Sequence, residues 1–565
     1  MAPKRSSFPL VLIVLLACSC LILSLCACAL AFSVSARSTP MALREGRPSV
    51  AETELAPTDA SADRRPTGGE FRLPGGLPPT LDPALSQDST SAQYIVEIFS
   101  GLVTASPDLE LIPDIAENYE LSPDGRVYRF HLRPNVRFHD GRAVTASDFK
   151  FSLERSCDPR TGSPIAATYL GDILGAREAL SGRATELTGV RVVDDRTLEI
   201  EIDAPRPSFL AKLSHPVAFV VDRYGVDSPD LARRANGTGP FRLVEVVPRS
   251  RIVLEANRNF YRQPRPALDR VVFLLGPGHA VTMYENDELD IAPVGSSDLP
   301  RVTDPFYSLS QELTVSEQLA TFYIGLNCQL EPFTDVKVRQ AFAQALDRQK
   351  IVDFLYERTV PAAETIVPPT MPDYDNDHLA APSFDPQAAR ELLAHSPYKG
   401  PEGLPVITLH VSSSTPQTDP VAEAIVVILE EHLGVTVEIE QVEWSVFLEE
   451  LVQPRNPYQM FMLGWIADYP DPENFLNVLF RSDSGDNHSH YVNAEVDRLL
   501  AEASLEMDQE RRHDLYLEAE RIILAEAPII PLYHDVEYWL TKPYVRDMHY
   551  PAMVVPHLQY VYLQK

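Results

Sequence analysis

Gly464-Trp465-Ile466-Ala467-Asp468-Tyr469-Pro470-Asp471-Pro472-Glu473-Asn474-Phe475-Leu476-Asn477-Val478-Leu479-Phe480 sets one acidic side chain, Asp468, among apolar and aromatic residues just before a helix start. Asp471 followed by Pro472 has the form of an N-cap with proline at the first helical position. A helix carrying Phe475, Leu476, Val478 and Leu479 follows, so Asp471 reads as structural. Asp468 is not needed for that cap. Two readings stay open for it: a turn-forming aspartate in an Asp-Tyr-Pro-Asp loop, or a carboxylate that meets a cation. A carboxylate is costly to bury unless an opposite charge meets it. Burial of Asp468 would therefore imply a cationic partner, and a ligand can be that partner.

The chain has 565 residues, enough for two to four domains at about 100–200 residues each. Eighty acidic against 49 basic residues give a net charge of −31. Such a surface repels nucleic acid and anionic membranes, so no nucleic-acid partner is expected. The charge names no ligand, because a solvated acidic surface explains it equally well. Of the six cysteines, Cys18, Cys20, Cys26 and Cys28 lie in an N-terminal apolar run, leaving Cys157 and Cys328 in the body. Those two allow one disulfide or two thiols. Cysteine and histidine spacing suggests no metal site, and His488-Ser489-His490 reads as a polar loop.

Lys4 and Arg5 precede an uncharged stretch from Ser6 to Ala36. It exceeds an ordinary signal-peptide core of roughly 7–15 residues and is long enough to span a bilayer, which needs ~20. Three fates compete: cleavage, retention as a transmembrane anchor, or lipidation at Cys18 within Leu15-Leu16-Ala17-Cys18, which has lipobox form. Each places the body outside the cytoplasm, with Lys4 and Arg5 inside. Residues 37–67, rich in Ser, Thr, Pro, Ala and charge, read as a disordered tether.

Beyond it, short strands and helices mix without a regular βαβ repeat. Ser122-Pro123-Asp124-Gly125 is a turn leading into the alternating strand Val127-Tyr128-Arg129-Phe130-His131-Leu132. Thr145-Ala146-Ser147-Asp148 has capping-box spacing. A hairpin is expected across Val190 to Ile202, and a strand pair over Phe241 to Val247 and Ile252 to Ala256. Helical periodicity covers Asp335 to Leu355, then Val421 to Leu433 ahead of Gly434 and the strand Val435 to Ile439. Asn493 to Glu526 reads as one or two helices, and Pro528-Ile529-Ile530-Pro531-Leu532-Tyr533 as a short buried strand. No nucleophile elbow, Walker loop, HExxH or GxGxxG occurs, so no enzyme, cofactor or metal is expected.

Several pieces in fixed order resemble the extracytoplasmic solute-binding proteins of family 5. They include Leu81-Asp82-Pro83, Phe99-Ser100-Gly101-Leu102, Phe138-His139-Asp140-Gly141 and Asn236-Gly237-Thr238-Gly239-Pro240-Phe241. Val338-Arg339-Gln340-Ala341-Phe342 and the Pro528 to Tyr533 run complete the series, which covers nearly all of residues 70–565. Asp158-Pro159, Ser163-Pro164 and the Trp465 to Leu479 segment look most like oligopeptide receptors.

The resemblance implies an α/β, two-lobed, type II periplasmic-binding-protein-like clamp with an extra subdomain in its first lobe. It places the first lobe at 68–99, 224–319 and 537–565, the subdomain at 100–223 and the second lobe at 320–536. It implies a monomeric receptor of an ABC importer that closes over a peptide and hands it to the permease subunits. Asp468 of the Trp-x-Ala-Asp-Tyr motif would pair with the ligand's α-ammonium, beside Trp465 and Tyr323. The basic residues that such receptors carry shortly before this motif have no counterpart in Met460-Phe461-Met462-Leu463, and only Arg455 lies further upstream. The other readings are a non-peptide solute (metal chelate, opine or sugar) or a signalling or scaffold protein that retains the clamp.

Overall fold

The computed structural model describes residues 65–228, 231–276, 278–412 and 419–565. The apolar run, Cys18 and nearly all of the proposed tether lie outside them. Among the described residues no helix is long and apolar enough to cross a membrane.

Strand alternation builds the first lobe's sheet. Its strands run in the order Glu70–Gly75, Arg270–Leu275, Arg251–Ala256, Phe241–Val247, the first pair parallel and the others antiparallel. Phe71, Leu254 and Phe273 from its inner face meet Tyr94 and Ile95 of the helix Ser89–Ile98. Asp88 starts that helix by accepting the Ser91 N–H. The glycines of Asn236-Gly237-Thr238-Gly239 let the loop cross the end of the helix. A Cβ on Gly237 would sit 2.0 Å from the Ile98 carbonyl oxygen, and one on Gly239 2.4 Å from that of Glu97.

The subdomain is an antiparallel sheet in the order Ala116–Leu121, Val127–Leu132, Thr197–Glu201, Val190–Asp194. Phe130 and Leu198 cover a core shared with Phe149 and Tyr169. The Thr145/Asp148 capping box forms, and both turns fall where the sequence places them, with Gly125 at φ 71°.

A six-stranded mixed sheet forms the centre of the second lobe and extends into the first: Ile291–Pro293, Ile529–Thr541, Leu313–Leu326, Met460–Ile466, Ile407–Ser412, Val437–Val442. Two core clusters flank it. One is built on the helices Val336–Ala345 and Pro420–Leu433, the other on Glu473–Phe480, Ala494–Ala503 and Gln509–Glu526. Gly434 ends its helix in the left-handed conformation at φ 72°. The stretch expected as one helix from Asp335 to Leu355 is two, because Leu346 turns extended and Asp347 caps a second helix, Arg348–Leu355. The strand expected to end at Tyr533 continues to Thr541. Beyond His534 it leaves the apolar core, so its mixed burial hides it from a hydrophobicity reading. Cys157 and Cys328 are free thiols packed in different regions.

Leu313–Leu326 and Ile529–Thr541 are the longest strands described, and they run side by side through both lobes. Their register breaks between Glu317 and Thr321. Within the break Leu319 turns to other partners, donating to the Ala552 carbonyl and accepting from Ala467 N–H.

Candidate ligand-binding site

A cavity of about 150 Å³ lies between the lobes and is partly open to solvent. The first lobe contributes Asp88 at the start of its helix, Tyr169 and His215 of the subdomain, and the C-terminal segment at Met553 to Pro556. The second lobe contributes Leu463 to Asp468 and, from the connection after Phe480, Asp486 and His488.

The Trp465 to Asp468 corner is held by a residue of the next helix. Asn474 is fully buried, and its Oδ1 accepts both the Trp465 indole N–H (3.0 Å) and the Asp468 backbone N–H (3.1 Å). Trp465 and Asp468 therefore present fixed side chains to the cavity. Gly464 is small because the Phe322 ring lies on it: a Cβ there would meet that ring at 2.7 Å.

The Asp468 carboxylate is 31 % exposed. Its Oδ2 accepts the Tyr169 hydroxyl, and its Oδ1 stands 3.7 Å from His215 Nε2, beyond hydrogen-bond length. His215 Nδ1 accepts the Val217 N–H, which leaves the ring proton on Nε2. The ring stacks on Tyr169 with centroids 4.1 Å apart, and burial lowers its pKa against the pull of Asp468. His215 is thus neutral at physiological pH. Among the described residues, no lysine or arginine meets the Asp468 carboxylate.

Asp486 lines the same cavity at 6 % exposure. Its Oδ2 accepts the Thr168 hydroxyl at 3.2 Å, next in sequence to the Tyr169 that bonds Asp468. Burial, with the neighbouring Asp468 charge, raises its pKa to about 7. His488 is 7 % exposed, and burial lowers its pKa to about 3. It forms wall, not the exposed polar loop expected there.

The cavity brings together Asp468 and Trp465 of the sequence-expected residues, but not Tyr323. That ring is 3 % exposed and packed in the second-lobe core, opposite Leu463 in register. Asp471 is structural as expected, although the helix begins one residue later. Its Oδ1 accepts the Glu473 N–H, and its carboxylate forks onto Arg512 at 2.7 and 2.9 Å. Nothing in the sequence singles out Tyr169, His215 or Asp486 as cavity residues, and His488 reads there as part of a polar loop. Only Asn474 carried a signal, a polar residue inside an apolar helical run.

Beside the cavity, buried charge joins the lobes. Lys212 Nζ of the subdomain stands 2.8 Å from Glu473 and 3.0 Å from Asp172, all three side chains under 10 % exposed. Burial works against the Lys212 charge, but Glu473 and Asp172 outweigh it and its pKa is raised. Tyr469, fully buried, meets Tyr169 edge-on in the subdomain core. The lobes are closed on one another.

Two α/β lobes joined by crossing strands, with a polar cavity between them, define a type II clamp of the periplasmic-binding kind. The family model for bacterial extracellular solute-binding proteins, family 5 (middle), matches residues 110–487. The chain belongs to this family. It is 30 % identical to the dipeptide-binding protein DppE of Bacillus subtilis over 88 % of this chain and 92 % of that one. It is 31 % identical to the periplasmic oligopeptide-binding protein OppA of Salmonella typhimurium, over 82 % and 87 %. The solved structure of the Escherichia coli murein tripeptide binding protein MppA superposes with a TM-score of 0.79 at 26 % identity, covering 88 % of this chain and 99 % of that one. Against the unliganded open form of MppA the TM-score is 0.64, consistent with lobes set here in a different, closed disposition.

Proposed function

We propose that this protein is an extracytoplasmic receptor of an ABC importer that closes its lobes over a peptide and presents it to a membrane permease, without catalysis. Relatives named for dipeptides, oligopeptides and a murein tripeptide support the ligand class. The observation that carries the reading is the Asp468 carboxylate. It stands on the cavity wall with a phenol and a neutral imidazole for neighbours and no fixed cation. An α-ammonium completes such a site through a charge-assisted hydrogen bond, and a ligand without the amine leaves the charge unmatched. Trp465 supplies an apolar wall beside it. Tyr323 acts through packing behind that wall. The run from Ser6 to Ala36, cleaved, retained or lipidated at Cys18, directs the body out of the cytoplasm. The receptor works as a monomer, with lobe crossovers near residues 320 and 536.

Calorimetry with tetra-alanine and its N-acetylated form tests this. The free peptide should bind 1:1, and acetylation should weaken it by about 100-fold or more, the order expected for a desolvated charge left unpaired. Asp468→Asn should abolish the distinction. Equal affinity for the two peptides would remove Asp468 as the ammonium partner.

A further inference from the structure

The cavity holds more negative charge than one α-ammonium neutralises. Asp468 and Asp486 both face it, Asp88 stands at its edge, and among the described residues no lysine or arginine lines it. The adjoining space shares Ser89, Met553 and Val555 with it, adds Glu537, and again has no lysine or arginine on its walls. Asp486 is the unusual member. Among the described residues its carboxylate forms no ion pair, and its one side-chain hydrogen bond comes from the Thr168 hydroxyl. A buried carboxylate in that condition is costly when ionised. Nothing in the local fold requires it, since Asp486 caps no helix. In the same wall His488, neutral and more than nine-tenths buried, has an Nδ1 with no hydrogen-bond partner. An acid without a cation thus faces the empty space, and the same wall holds an imidazole whose Nδ1 has no partner.

We infer that the cleft takes its peptide as a dication, the α-ammonium at Asp468 and a basic side chain from the first or second residue at Asp486 and His488. The inference rests on the Asp468 reading and deepens it. The two carboxylates are held by adjacent residues, Tyr169 and Thr168, so the two cations must lie close together along the ligand. A lysine ammonium donates to the Asp486 carboxylate as a charge-assisted hydrogen bond. The charge also lowers the pKa that burial and Asp468 raise in the empty site. The walls supply no cation for a C-terminal carboxylate, so that end of the ligand projects toward solvent.

The test compares Lys-Ala-Ala-Ala and Ala-Lys-Ala-Ala with the same peptides carrying Nε-acetyl-lysine, by calorimetry on the wild-type protein. At least one lysine peptide should bind tenfold or more tighter than its acetylated counterpart. Asp486→Asn should erase that preference. Equal binding of each pair overturns the inference. If α-amine acetylation still abolishes binding in that case, the Asp468 reading stands alone. A preference that survives in Asp486→Asn overturns the assignment to Asp486. Failure of all four peptides to bind overturns both readings. The wild-type comparison needs no variant, so a folding defect in Asp486→Asn does not obscure it.

Discussion

Asp486 shows how one side chain can be costly to the fold and useful to the site. Its carboxyl group titrates near pH 7 in the folded protein, against an ordinary value of 3.8. Between those values the folded state holds a proton that the unfolded chain has released. Stability from this group is therefore greatest below about pH 4, falls as pH rises toward 7, and is flat above. Asparagine at this position carries no such cost. The groups facing it are the Thr168 hydroxyl, Asp468 and the phenols of Tyr169 and Tyr323, none of them a cation. The unfolding midpoint of Asp486→Asn should thus climb relative to wild type from pH 5 to pH 8, by a difference on the order of a few kcal/mol. A gap that stays constant across that range would show that Asp486 is not held protonated. The sequence could not reveal this residue. Asp486 sits in Ser482-Asp483-Ser484-Gly485-Asp486-Asn487, which reads as an ordinary polar loop. It meets the subdomain helix that carries Thr168, more than 300 residues away. Asp468 was legible because its own neighbours are apolar.

At the scale of elements, local signals fared well and long-range ones did not. The capping box at Thr145, the glycine stop at Gly434 and the hairpin turns need only neighbouring residues, and each forms. The break at Leu346 and the extension of the last long strand past Tyr533 depend on what packs against them. The same limit hid the link between the subdomain and the helix Glu473–Phe480. Lys212, Glu473 and Asp172 are each unremarkable in sequence, yet they form a buried triad between the lobes. Lys212→Met would leave Glu473 buried with Arg512 at 3.6 Å as its remaining cation. Opening the lobes would rehydrate that acid, so the closed form should lose about 3–5 kcal/mol relative to the open one. Peptide affinity should fall by about 100-fold to 1,000-fold or more through the population shift alone. Adding Glu473→Met should restore most of it. Asp172 then keeps Arg206 at 3.1 Å and Arg512 keeps Asp471 at 2.7 Å, so no charge is stranded. A double variant as weak as the single one would mean that Lys212 acts other than by matching Glu473.

For the whole molecule the question is what lets the lobes part. Leu313–Leu326 and Ile529–Thr541 carry the chain between them, and their ladder is interrupted at Glu317 to Thr321. A register break loosens local pairing and lets paired strands bend there without unzipping on either side. We place the hinge at this break, where Leu319 bonds to Ala552 and Ala467 in place of the facing strand. The lobes themselves have separate cores on either side of it, so each can move as a rigid body. Closure buries Tyr469 and the Lys212 triad, and the ligand must supply the differential affinity that favours this state. Small-angle scattering should therefore give a larger radius of gyration for the ligand-free protein than for the protein saturated with a free-amine peptide. Lys212→Met should hold the larger value to higher peptide concentration. Amide exchange at 318–320 should slow on binding. If a peptide that calorimetry shows to bind leaves both the radius and these amides unchanged, the lobes do not open at this break, and ligand must enter a clamp that is already shut.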